Sequence, residues 1–156
     1  MSAQAEMPVA DSRTGGCLCG AVRFTAKLET HIFGACHCEM CRRWAGSALL
    51  AITVPSANID WQGAEHIATL QTSDWAKRAW CARCGSGLYY MVTAEGPYFG
   101  NTELLIGLFD DANGLTMQSE IFFDQKPDSF AYTGETKKIS RAETLAMFGA
   151  DANPEE

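Results

Sequence analysis

The chain has 156 residues, 47% hydrophobic and 20% charged, which supports one ordinary core and excludes a disordered polymer. A formal net charge of -7 argues against nucleic acid as a partner, because phosphate binding needs a basic face. No apolar run approaches the roughly eighteen residues of a membrane-spanning helix, and MSAQAEMPVADSRTGG lacks the basic and apolar regions of a secretion signal.

Residues 1–13 are small and polar and are expected as a flexible N-terminus. Residues 14–150 are read as a single domain and 151–156, DANPEE, as a flexible tail, with no linker or repeat between them. AVRFTA (21–26) alternates, with Val22, Phe24 and Ala26 on one side, and reads as a strand. A short helical turn is expected around Cys38–Ala45. SALLAITV (47–54) is a continuous apolar run closed by Pro55. HIATLQT (66–72), GLYYMVT (87–93), ELLIGLF (103–109) and MQSEIFF (117–123) are β-branched or aromatic stretches separated by turn chemistry such as DDANG (110–114). At the C-terminus RAETLAMF follows Ser140, with Glu143 three residues on and Gly149 beyond, the marks of a capped helix. Many strands and little helix predict a mainly β fold with a short C-terminal helix.

All seven cysteines fall in three clusters: GGCLCG (Cys17, Cys19), CHCEMC (Cys36, Cys38, Cys41) and CARCG (Cys81, Cys84). In a reducing cytoplasm, the expected location, such clusters are metal ligands or catalysts sooner than disulfides. Two cysteines separated by one or two residues aim two sulfurs at one ion, and two such pairs complete a tetrahedral thiolate site. Pairing the two glycine-flanked clusters makes a closed site of Cys17, Cys19, Cys81 and Cys84. That leaves Cys36, Cys38 and Cys41, three ligands with one position open, the form of a catalytic zinc. Two other arrangements stay open on spacing alone. Cys38 and Cys41 can pair with Cys81 and Cys84 as a zinc ribbon, or the triple can be a redox cluster. Two Zn²⁺ would offset more than half the charge of seven thiolates, which favours metal. Arg42, Arg43, Lys77, Arg78 and Arg83 can supply a local basic patch for an anionic substrate, and Arg42 is the first choice because it follows a ligand directly. His37 lies between two ligands, where it can serve as a proton shuttle at neutral pH or, as alternation along an extended segment favours, point away from the metal.

GGCLCGAVRF, ACHCEMCRRWAG and WCARCGSGLYY, in that order, resemble the glutathione-dependent formaldehyde-activating enzyme family, which shares its domain with centromere protein V. NTELLIGLFDD and SEIFFDQKPDSF resemble its later segments, so the likeness covers roughly residues 14 to 135. The resemblance implies a β-tent fold of small antiparallel sheets around a structural zinc held by Cys17, Cys19, Cys81 and Cys84. It assigns a second, catalytic zinc to Cys36, Cys38 and Cys41. It also implies carbon–sulfur lyase chemistry on glutathione, or another small thiol, and formaldehyde or a related aldehyde. The alternative is a zinc-stabilised binding module or thiol redox sensor without lyase activity. The oligomeric state has no signature in the sequence.

Overall fold

The computed structural model describes residues 11–149, and within them the chain is mainly β. The first strands in chain order are β1 (Asp11–Gly16), β2 (Arg23–Leu28), β3 (Ile32–Cys36), β4 (Leu49–Pro55), β5 (Ile59–Gln62) and β6 (Ile67–Gln71). They are followed by β7 (Ala76–Cys81), β8 (Gly87–Val92), β9 (Asn101–Leu105), β10 (Thr116–Ile121) and β11 (Lys137–Lys138). Two short helices complete the described residues, α1 (Glu39–Ala45) and α2 (Arg141–Phe148). The described residues form two compact units, each made of two separate stretches. Among the described residues one unit takes 11–31 and Ile52–Leu115, and the other takes Ile32–Ala51 and 116–149.

The first unit holds an antiparallel sheet in the order β1-β2-β5 and the antiparallel run β9-β8-β7-β6. Strict alternation in β2 buries Phe24, Ala26 and Leu28 while Arg23, Thr25 and Lys27 stay on the wetter side. The Phe24 ring meets Trp61 and Phe109 edge-on, at centroid distances of 5.5 and 5.3 Å. β1 begins at Asp11, inside the expected flexible N-terminus, and pairs residue for residue with β2 from Asp11↔Leu28 to Gly16↔Arg23. Residues 1–10 and 150–156, which include the expected tail, lie outside the described residues.

On this unit's surface Arg23 holds Asp110 through two bonds of 3.0 and 2.5 Å, and Thr14 donates a third at 2.7 Å. Arg23 first, then Thr14, depresses the Asp110 carboxyl to about 2 from its ordinary 3.8. A depressed carboxyl stabilises the fold above the unfolded value and loses that contribution as pH falls through the folded one. Asp110→Asn is therefore expected to flatten acid unfolding between pH 3.8 and about 2, read from melting temperatures against pH. The effect is small because both side chains are largely exposed.

The second unit is mixed, where small antiparallel sheets are expected. β3 pairs antiparallel with the start of β4, but β10 runs parallel to both β3 and β11. β10 ends at Ile121, two residues earlier than MQSEIFF suggests, because Phe122 turns into the left-handed region at φ 52. The Phe122 amide is met there by Thr144 Oγ1 at 3.2 Å, so α2 secures the turn. α2 itself starts as its sequence predicts, with Ser140 Oγ accepting from the Glu143 amide at 3.1 Å. ELLIGLF likewise stops short as a strand, giving way to a 3₁₀ turn over Ile106–Leu108.

Candidate functional site

The two glycine-flanked cysteine clusters meet in the first unit. The sulfurs of Cys17, Cys19, Cys81 and Cys84 all lie within 4.8 Å of one another. Each cluster is a tight turn at a strand end. Cys17 N–H bonds Val22 O at 2.9 Å, and Cys81 N–H bonds Ser86 O at 2.9 Å. Gly20 (φ 80) and Gly85 (φ 82) turn the backbone through the left-handed region behind the sulfurs. That geometry aims amides at the thiols: Val22 N–H at Cys17 Sγ, 3.3 Å, and Ala21 N–H at Cys19 Sγ, 3.5 Å. Ser86 joins the two turns, its hydroxyl accepting from Leu18 N–H at 3.0 Å and lying 3.3 Å from Cys84 Sγ. The Ser86 hydroxyl, with the Ser86 and Cys19 amides, holds the Cys84 thiol down at about 5. A thiolate fixed by outer hydrogen bonds is a poised metal ligand. Cys17 and Cys81 belong to the unit's core, packed with Val22, Ala79, Leu88 and Tyr89, while Cys84 is half-buried against it and Cys19 is exposed, so the group sits at the edge of the apolar cluster it would staple.

The second unit gathers the other three thiols. Cys36 ends β3, Cys38 caps α1 and Cys41 lies in its first turn, with all three sulfurs within 4.8 Å of one another. The cap is specific, since Cys38 Sγ accepts the Cys41 amide at 3.3 Å. No fourth histidine, cysteine or carboxylate joins the group among the described residues, whereas the other group has four. Hydrogen bonding with Cys38 and Cys41, together with burial, holds the Cys36 thiol well above its usual range. A thiol held up in this way would ionise on binding a cation. Sulfur-only donor sets of four and three suit zinc, closed in the first case and open in the second.

His37, between two of these cysteines, is 1% exposed, and its ring lies among Phe123, Phe130 and Tyr132. Its Nε2 lies 2.9 Å from Glu120 Oε1, and Glu120 is itself 2% exposed. Sequence reasoning missed Glu120, because simple alternation puts it with the exposed Thr116 and Gln118 and only the register shift between Met117 and Ser119 turns it inward. A cleft with a cavity volume of about 610 Å³ lies next to the triple's helix, lined by Arg42, Arg43, Ser47, Pro127, Ser129 and Phe130 among others. Arg42 and Arg43 therefore face a shared cleft, though Arg43 is already paired with Glu39 at 2.9 Å. The remaining basic candidates lie in the first unit. Arg78 is buried, with its guanidinium 4.9 Å from the Tyr90 ring centre, Arg83 is exposed and Lys77 is half-buried. His31 bonds Asp11 at 2.8 Å and His66 lies 3.6 Å from Glu65, so both serve local structure. Lys126 reaches the Phe130 carbonyl and lies 4.8 Å from its ring centre, tying the segment that walls the cleft. No helix among the described residues is long and apolar enough to cross a membrane.

Fold and thiols together define a class: a mainly β protein able to hold two metal ions through cysteine alone. The family model for glutathione-dependent formaldehyde-activating enzyme matches residues 12–125, and the chain belongs to that family. An uncharacterized lyase of Schizosaccharomyces pombe is 30% identical over 135 residues, spanning 84% of this chain and 93% of its own. A provisionally named glutathione-dependent formaldehyde-activating enzyme of Halomonas elongata is 36% identical over 84 residues, 48% of this chain and 53% of its own. The crystal structure of a Rhodobacter sphaeroides protein superposes with a TM-score of 0.54 at 21% identity, covering 67% of this chain and 99% of that one, which speaks to the fold alone.

Proposed function

We propose that the protein is a zinc-dependent carbon–sulfur lyase that makes or cleaves S-hydroxymethyl thiols from formaldehyde, or a related aldehyde, and glutathione or another small thiol. The observation that carries this reading is the count of sulfurs. Four gather in one group and three in the other, so one set is complete and one is a ligand short. In this reading Cys17, Cys19, Cys81 and Cys84 hold a structural ion and Cys36, Cys38 and Cys41 a catalytic one. Bound at the triple, zinc supplies a Lewis-acid centre with a place left for a thiolate or an aldehyde oxygen.

The chain's own residues do the binding and orienting. Arg42 follows the last ligand of the triple and lines the cleft, where its planar guanidinium can take a carboxylate of glutathione through two parallel bonds. Ser47 and Ser129 add hydroxyls, and Pro127, Phe130 and Ala48 give the cleft an apolar wall that limits water. A net charge of -7 makes this local arginine pair the feature that would admit an anionic thiol. Clustered cysteines of this kind suit a reducing compartment, and the cytoplasm is the location this reading expects.

The test is zinc per chain on reduced protein, in wild type and Cys38→Ser, followed by thiol-dependent consumption of formaldehyde. The expected result is two zinc ions falling to one with the fold intact and turnover lost. One zinc in both proteins would remove the lyase reading and leave a binding module or redox sensor.

A further inference from the structure

The buried polar pair behind the triple has no part in the chemistry described so far. His37 is held at both ends. Its amide donates to Ile121 O at 3.1 Å, which extends the parallel β3–β10 ladder by one residue, and its ring meets Glu120 at 2.9 Å. Glu120 is saturated in turn: Oε2 accepts from Thr136 Oγ1, and Lys138 Nζ stands 3.7 Å from the same oxygen while donating to Thr136 Oγ1 at 3.1 Å. Around the imidazole stand the rings of Phe123, Phe130 and Tyr132, with centroids 6.0, 6.0 and 6.1 Å away. Phe130 is also a wall of the cleft.

Stability alone does not call for this arrangement. A buried ionisable pair is commonly replaced by apolar residues of similar volume with no loss. What the pair supplies is a fixed orientation. His37 sits between Cys36 and Cys38, so locking its amide and ring sets the direction in which the two neighbouring sulfurs leave the backbone. The same ring packing sets where Phe130 stands. We infer that Glu120 is a positioning residue which, through His37, aligns Cys36 and Cys38 toward a common metal ion and fixes Phe130 in the cleft wall.

This rests on the reading that the triple holds metal, and the experiment separates the two. Zinc is titrated from loaded wild type and Glu120→Ala with a chromophoric chelator, and cobalt-loaded forms are scanned for the thiolate-to-cobalt band of each site. The expected result for Glu120→Ala is one ion held as in wild type and the other weakened about tenfold or more, with its cobalt band shifted. Thr136→Val, which leaves Glu120 in place and removes the Thr136 hydroxyl that links it to Lys138, should move the same ion and band less. Glu120→Gln, which keeps a partner for His37, should recover most of the affinity. Unchanged affinity and an unmoved band at the triple in Glu120→Ala would overturn the inference. Should that variant fail to fold, unchanged values in both Thr136→Val and Glu120→Gln overturn it, and a shift in Thr136→Val supports it. A wild type that holds only one ion defeats the lyase reading and this inference together.

Discussion

Cys81→Ser is expected to abolish the folded state, leaving no cooperative thermal transition and no bound metal at the four-sulfur group. Cys81 is fully buried at the end of β7, its amide and carbonyl close the turn that carries Cys84, and its sulfur faces the other cluster. A structural zinc is worth roughly 10–16 kcal/mol in small zinc-binding peptides. A whole domain is stable by only about 5–15 kcal/mol. Losing a ligand of a closed site therefore removes an amount comparable to everything the domain has in reserve. Cys38→Ser is the contrasting variant, because the triple caps a seven-residue helix in the other unit. Its melting curve should stay cooperative. Calorimetry with metal analysis distinguishes the two, and a Cys81→Ser protein that melts as wild type does would show that the four-sulfur group is not what holds the first unit.

Gly63→Ala should destabilise by about 3 kcal/mol or more, a large effect for one methyl group. Gly63 sits at φ 74, in the left-handed region, where any other residue incurs about 1–2 kcal/mol. A Cβ there would come 1.8 Å from the Ala21 carbonyl oxygen, so backbone must move. The backbone it would push carries the amides of Ala21 and Val22 that donate to Cys19 and Cys17. On its other side the Gly63 turn holds the second cluster, since Gly63 O accepts from His66 and His66 O from Ala82. Gly20→Ala is the control. Gly20 has a similar φ of 80 but open space around its Cα, so only the conformational penalty of about 1 kcal/mol applies. Denaturant unfolding of the two variants gives the comparison, and equal losses would mean the close approach at Ala21 does not matter.

What the sequence showed and what it hid divide by range. The cysteine turns, the Ser140 cap and the alternation of β2 are written within a few residues, and each stands where its pattern places it. β3 was unreadable because IFGAC is short and non-alternating, and its partner β10 lies more than eighty residues away in a parallel pairing. Glu120 was overlooked for the same reason: its meaning depends on His37, and nothing local connects the two. β7 was hidden by Lys77 and Arg78, charged residues in a strand whose Arg78 is nevertheless buried beside Tyr90. The division into two units leaves no linker to find, because each unit takes one piece from the first third of the chain and another from further on.

That interleaving sets an order of events during synthesis. The four thiols of the first group have all left the ribosome shortly after Cys84 emerges, and the strands that frame them are finished by Leu115. The three-thiol loop is made much earlier, by Cys41, yet His37 has no partner until Glu120 appears, and Thr136 follows later still. Between the synthesis of Cys84 and that of Glu120 the nascent chain thus carries a thiol triplet whose supporting side chains do not exist, while the four-sulfur group already has all its cysteines. A ribosome stalled after Leu115 would hold a chain complete in its first unit and unable to build its second.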